Sequence, residues 1–260
     1  PPGVMRPSRG GGALCVPAGP GALVLWMDTP PSCSVIAGGP AAALACGLDD
    51  GADKLAIVFD DKTVRLHSAR TGELCAEHKV PKRPTAVAWH GEWALVADKI
   101  GDVYGIRGES RVHLLGHTSS IITDMVVTPD GRFLLTADRD EKIRVTSLPK
   151  TSLIQAFCMG HSSYVTSVDT FLPHPHPAGA ACPLVASASA DFTVALWDAP
   201  TGRRVAALRL GPSTPGRPAA APGAEDEDHA ATAAAAAAAP ADVLAAAAGG
   251  GGGGGEDDAM

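Results

Sequence analysis

One pattern returns four times between residues 40 and 209, and it constrains the fold more than any other feature of the chain. The copies are A-I-V-F-D-D-K-T-V-R-L-H (56–67), A-L-V-A-D-K-I-G-D-V-Y-G (94–105), L-L-T-A-D-R-D-E-K-I-R-V (134–145) and V-A-S-A-S-A-D-F-T-V-A-L-W-D (185–198). Each reads as a small or apolar strand, a tight polar turn and a second strand with alternating side chains. The turn positions Asp61, Ile100, Asp140 and Asp191 follow one another at 39, 40 and 51 residues. A period of this length implies stacked supersecondary units, none of which buries its apolar faces alone. The longest interval holds F-L-P-H-P-H-P-A-G-A-A-C-P (171–183), a loop by composition. Gly (30) and Pro (22) make a fifth of the 260 residues, which argues against long helices.

Further marks fall in phase. Gly116-His117 and Gly160-His161 lie 44 residues apart, each just before a β-rich run, and Trp197-Asp198 closes the last copy. Pro129-Asp130-Gly131 is a tight turn between two strands. A unit of four short antiparallel strands with Gly-His and Trp-Asp marks resembles the WD-repeat β-propeller family. Four blades are readable, roughly 40–78, 82–113, 119–157 and 163–209, and residues 13–28 fit part of an earlier one. Propellers of that family usually close with seven, so the all-β propeller expected here, of four to five blades over residues 13–210, is incomplete. Residues 1–12 are Gly/Pro-rich and 211–260 are acidic, Ala/Gly-rich and without aromatics, so disorder is expected at both ends. The net charge of -7 belongs to 211–260, which hold eight acids and one base, while 1–210 hold 20 of each.

These numbers also exclude chemistry. A neutral body does not suggest a free-standing nucleic-acid binder. The six cysteines contain no C-x-x-C pair, so zinc and thioredoxin-like readings lack support, and reduced thiols in an intracellular protein are expected. His174 and His176 have no third ligand nearby, and no metal site is expected. K-V-P-K-R (79–83) reads as a solvated connection before a phosphate-contacting or localisation cluster. His161, Asp191 and a serine (187 or 189) have the composition of a hydrolytic triad. The propeller resemblance implies instead that the Gly-His histidine bonds the aspartate of the second tight turn, with a Ser/Thr and the tryptophan completing a structural network. That reading pairs His161 with Asp191 and Trp197, and His117 with Asp140; the 94–105 copy has Ile100 at the acid position, so its pair is expected to be absent.

The sharpest feature is A-D-R-D-E-K-I-R-V (137–145), whose charged residues are Asp138, Arg139, Asp140, Glu141, Lys142 and Arg144. Blade structure does not require such charge, since Phe192, Thr193 and Ala195 stand at the places of Glu141, Lys142 and Arg144 in the next copy. Alternating signs suit either a solvated ladder or a docking surface. The strings A-L-V-A-D-K-I-G-D-V-Y (94–104), L-G-H (115–117), T-P-D-G-R-F-L-L-T-A-D-R-D-E-K-I-R-V (128–145) and F-C-M-G-H-S-S-Y-V (157–165), in this order, resemble the WD-repeat, non-catalytic subunit of tRNA (guanine-N7-)-methyltransferase. The resemblance covers roughly 85–210. It implies a scaffold with no cofactor of its own, which binds and stabilises a separate catalytic subunit that uses S-adenosylmethionine. It implies tRNA met through that complex, no membrane, and a nuclear location with the cytoplasm as a further one. It implies a docking face of Lys99, Asp138, Arg139, Glu141, Lys142 and Arg144, with Lys99 and Arg144 displaced by two residues in the repeat alignment and both on one rim. A generic WD-repeat adaptor for another complex is the alternative, and a hydrolase built on His161 and Asp191 is the third reading.

Overall fold

The computed structural model describes residues 6–7, 12–37, 39–118, 120–172 and 182–210. The expectations for 211–260, for His174 and His176 and for most of residues 1–12 lie outside these residues. Among the described residues every regular element is a β-strand, and no helix is long and apolar enough to cross a membrane.

Twenty strands form five four-stranded antiparallel sheets, each a meander in chain order. Blade one holds β1 (Arg6–Pro7), β2 (Ala13–Ala18), β3 (Gly21–Trp26) and β4 (Ser32–Ala37). Blade two holds β5 (Ala43–Leu48), β6 (Lys54–Phe59), β7 (Thr63–Ser68) and β8 (Leu74–Lys79). Blade three holds β9 (Pro84–His90), β10 (Trp93–Asp98), β11 (Asp102–Arg107) and β12 (Ser110–Gly116). Blade four holds β13 (Ile122–Val127), β14 (Phe133–Asp138), β15 (Lys142–Ser147) and β16 (Ile154–Met159). Blade five holds β17 (Val165–Phe171), β18 (Leu184–Ser189), β19 (Thr193–Asp198) and β20 (Arg204–Arg209). The four copies read in the sequence are blades two to five, and residues 13–28 belong to a complete first blade. Its first strand is Arg6–Pro7, which pairs with Cys15 and Leu14, where the sequence suggested no order.

The register shows why the copies align. Ile57 faces Arg65, Val96 faces Tyr104, Thr136 faces Arg144 and Ser187 faces Ala195 across the second and third strands. Each turn between them therefore has the same length. Its αL corner is Lys62, Gly101, Glu141 or Phe192, all at positive φ. The first strands of blades two to five each carry a bulge near their start, skipping Leu44, Thr85, Thr123 and Thr166 in the pairing. Such a bulge adds local twist, which suits strands crowded at an axis.

Neighbouring blades meet chiefly through β2 and β5, β5 and β9, β9 and β13, and β13 and β17. Among the described residues no pairing of comparable extent joins blade one to blade five, so the five blades make an open arc. The second strands of the interior blades are buried on both faces, and K-L-A-I-V-F, W-A-L-V-A-D and F-L-L-T-A-D accordingly read as near-continuous apolar runs. Alternate residues face different neighbours. Leu55, Ile57 and Phe59 pack with Cys15, Val24 and Trp26 of blade one, while Ala56 and Val58 pack with Val87 and Trp89 of blade three. In blades one and five, β3 and β18 alternate buried and half-buried residues, because only one face has a neighbour. Full burial of each such aliphatic side chain contributes about 1.5–3 kcal/mol, so the interior seams dominate stability. All six cysteines are free thiols, and burial pushes Cys158 up to about 12, with Asp198 nearby adding to the effect.

The chain direction divides the arc into two rims. The hairpins between second and third strands and the connections between blades lie at the upper rim. The turns between first and second strands, and between third and fourth, lie at the lower.

Candidate partner-docking rim

At the upper rim, Asp98 and Asp138 end β10 and β14, both fully buried. Each uses Oδ1 to accept backbone amides of the turn it begins: Asp98 from Ile100 (2.9 Å) and Asp102 (3.0 Å), Asp138 from Asp140 (2.9 Å) and Lys142 (3.4 Å). An aspartate that folds its own turn in this way fixes the hairpin and turns the next side chains outward. Lys99, Arg139, Asp140 and Glu141 are exposed, and Lys142 is half-buried with Nζ 3.8 Å from both Asp138 and Asp140. Four of the six expected docking residues, Lys99, Arg139, Glu141 and Lys142, thus reach the surface of one rim.

The other two lie beneath it. Asp138 belongs to the turn, and Arg144 is only 9% exposed. The Arg144 guanidinium donates through Nε to Thr146 Oγ1 (3.1 Å) and through Nη1 to the Gly116 carbonyl (3.1 Å), joining blade four to the end of β12. Burial pulls its pKa below the usual arginine range. This corrects the view that blade packing does not use the Arg144 charge. The register also corrects the repeat alignment: the counterpart of Arg144 in blade three is Tyr104, and the counterpart of Lys99 in blade four is Arg139. Lys99 and Arg144 are therefore five positions apart in the repeat, not two. Arg65, the blade-two counterpart, is likewise committed inward: Nε pairs with Glu77 at 2.7 Å and the guanidinium lies over Phe59.

Behind the rim runs the histidine network. His161 is buried, with Nδ1 3.0 Å from Asp191 Oδ2 and Nε2 2.8 Å from Ser187 Oγ, and Trp197 Nε1 donates to the same hydroxyl at 2.8 Å. With Nδ1–H donating to Asp191, Nε2 accepts from Ser187, so every member is satisfied. Burial would raise the Asp191 carboxyl. Hydrogen bonds from Thr193, the Ser162 amide and His161 outweigh it and hold the pKa at about 2. Ser187 is 2% exposed and spends its oxygen on Trp197, so the three residues lack the accessible nucleophile a hydrolase needs.

Blade four pairs differently from the expectation. His117 Nδ1 lies 3.2 Å from Asp138 Oδ2, and Nε2 lies 2.7 Å from Thr136 Oγ1; Asp140 is an exposed partner of Lys142 instead. The carboxylate comes from the strand end rather than from the turn position, two residues later, that supplies it in blade five. Blade three repeats the strand-end aspartate as Asp98, so its acid is present after all and its histidine is missing. Val80 occupies that place, its amide bonded to the Lys62 carbonyl as that of His117 is to Gly101. Asp98 Oδ2 has no hydrogen-bond partner among the described residues, and burial raises its carboxyl above the usual range. Ser187 is one of the two serines the sequence offered for the network; Thr136 and the turn-forming role of the strand-end aspartates were missed, and the recurring Ala-Asp before Lys99 and Arg139 was the available signal. Among the described residues no group of His, Cys, Asp and Glu is placed to hold a metal ion.

What this arrangement offers is a rigid rim with outward charges of both signs on two adjacent blades. Residues 109–214 match the model of the tRNA methyltransferase TRM82 WD40 domain. The human tRNA (guanine-N(7)-)-methyltransferase non-catalytic subunit WDR4 is 35% identical over 179 residues, covering 66% of this chain and 41% of that protein. The TRM82 non-catalytic subunit of Lodderomyces elongisporus is 33% identical over 48% of this chain and 36% of its own, and the Caenorhabditis elegans non-catalytic subunit is 39% identical over 38% and 26%. A chain in the crystal structure of a mitotic checkpoint complex superposes with a TM-score of 0.67 at 16% identity, covering 80% of this chain and 64% of that one, a likeness of fold alone. The chain spans about two fifths of the length of the human relative. Over the blades they share, this chain is similar to the WD-repeat, non-catalytic subunit of tRNA (guanine-N7-)-methyltransferase, the family that its own strings resemble.

Proposed function

We propose that this chain is a non-catalytic subunit that binds and stabilises the catalytic subunit of tRNA (guanine-N7-)-methyltransferase, and thereby supports N7-methylguanosine formation in the tRNA variable loop. The names of its relatives support the non-catalytic role. The observation that carries the docking site is the pair Lys99 and Arg139, exposed at equivalent positions of adjacent blades above buried, turn-forming aspartates. A docking surface needs side chains whose bases do not move. Asp98, Asp138 and Arg144 supply that base, and Glu141 and Lys142 add charges of both signs that fix register and reject wrong partners. The partner's matching surface carries acidic residues at the spacing of Lys99 and Arg139. The tRNA is met through the complex, and the nucleus is the expected location.

Co-expression with the catalytic subunit tests this reading. The two chains should co-purify, and tRNA N7-methylation should require the catalytic chain and rise when this one is present. Robust methylation by this chain alone, or a catalytic subunit that neither binds it nor gains activity, contradicts the proposal.

A further inference from the structure

The lower rim differs in charge from the mixed-charge upper rim and holds a cavity. There the first strands of blades two to five enclose a cavity of about 360 Å³ with largely apolar walls, among them Leu48, Val87, Trp89, Val127, Pro129 and Phe171. Its size lies at the lower end of the range for ligand pockets, about 300–1,000 Å³. Asp50 and Asp169 also line it, and both are exposed. Phe171 and Leu172 leave about two fifths of their surface in solvent beside Asp169.

The surrounding turns are acidic. Among the described residues, the turns between first and second strands of blades two to four carry Asp49, Asp50, Asp53, Glu92 and Asp130 beside two bases, Lys54 and Arg132, and Asp169 adds an acid near the end of β17. Both bases are engaged, Lys54 with Glu92 at 3.4 Å and Arg132 with Asp130 at 2.7 Å. An apolar cavity inside an acidic margin selects against polyanions. Nucleic acid does not fit it, and neither does this chain's own 211–260, with eight acids and one base. The complementary ligand has an apolar anchor flanked by cations.

We propose that this cavity is a binding site for a basic peptide segment of a partner protein, with an aliphatic or aromatic side chain in the cavity and flanking Lys or Arg side chains against Asp50 and Asp169. The site is separate from the upper rim, so one protein can engage both partners.

The test titrates the full chain into two fluorescein-labelled peptides, Ala-Arg-Leu-Leu-Arg-Ala and Ala-Glu-Leu-Leu-Glu-Ala, and follows anisotropy. The arginine peptide should bind saturably at about 10–100 μM, and the glutamate peptide at least about tenfold more weakly. Raising salt from about 0.1 M to about 0.5 M should weaken the arginine peptide, as exposed charge pairs are screened. The double variant Asp50→Lys/Asp169→Lys and, independently, Phe171→Ser should each weaken it by about tenfold, while Lys99→Glu leaves it unchanged. All these positions are exposed, and thermal melts establish that the variants fold. Equal binding of the two peptides, no saturable binding by about 1 mM, or wild-type affinity in both cavity variants overturns the proposal. The Lys99→Glu arm keeps that outcome distinct from a failure of the upper-rim reading.

Discussion

His161 joins the connection before blade five to the core of that blade through Asp191, Ser187 and, via the serine, Trp197. Replacing it by alanine leaves buried polar atoms without partners, which typically costs about 1–3 kcal/mol. Urea unfolding of His161→Ala should show a loss of that size. The same network predicts an acid limb. The Asp191 carboxyl sits at about 2 in the folded protein against 3.8 for the free group, so its contribution is fully present above about pH 4. It is lost as pH falls from about 4 towards 2, and Asp191→Asn should flatten that part of the stability–pH curve. Asp98 has the opposite sign. Its folded carboxyl is raised by burial, so ionisation disfavours the native state as pH climbs past the ordinary value. Asp98→Asn keeps an oxygen for the turn amides and should melt no lower than wild type at pH 7. Asp138→Asn disturbs the His117 pair and should melt clearly lower; equal melting of the two variants contradicts this difference between the blades. The pairing of His161 with Asp191 was legible because Gly-His and the turn aspartate lie in phase. The pairing of His117 with Asp138 was not, because two aspartates flank that turn and only packing decides which one is buried.

The hairpin between β14 and β15 shows how far charge alone reads as surface. A strand with Lys142 and Arg144 on either side of Ile143 suggests outward cations, and the structure turns one of them inward, onto Thr146 and the Gly116 carbonyl. An arginine buries readily where carbonyls accept its fork and its stem packs, and nothing in local sequence marks such a place. The consequence is measurable. Arg144→Glu puts an unpaired anion into the seam between blades three and four and should lower stability by about 3 kcal/mol or more, whatever partner is present. Arg139→Glu, exposed at the tip of the same hairpin, should change melting by less than about 0.5 kcal/mol equivalent. If Arg144→Glu melts like wild type, the inter-blade role of that side chain is wrong. By contrast, the second and third strands of blades two to five were readable as the four aligned copies. Their apolar runs are long enough to bury both faces, and Gly, Asp and Pro punctuate every turn.

At the scale of the molecule, an arc of five blades separates two surfaces, a mixed-charge upper rim and an acidic, cavity-bearing lower rim. The repeat period announced the arc. Blade one was only partly legible, because β1 has two residues and β2 to β4 carry neither a Gly-His nor a Trp-Asp mark. In the proposed function, the upper rim of blades three and four binds the catalytic methyltransferase subunit through exposed cations on a buried frame. Loss of one member of a desolvated interfacial charge pair costs about 2–5 kcal/mol, whereas a rim charge that touches nothing costs far less. The direct measurement is the affinity of the purified catalytic subunit for wild type, for Lys99→Glu/Arg139→Glu and for the lower-rim control Arg132→Glu, with melting curves beside each. The upper-rim pair should weaken binding by about a hundredfold or more while melting is unchanged, and the control should bind like wild type. Equal weakening by both variants, or no measurable binding by the wild-type chain, would contradict it.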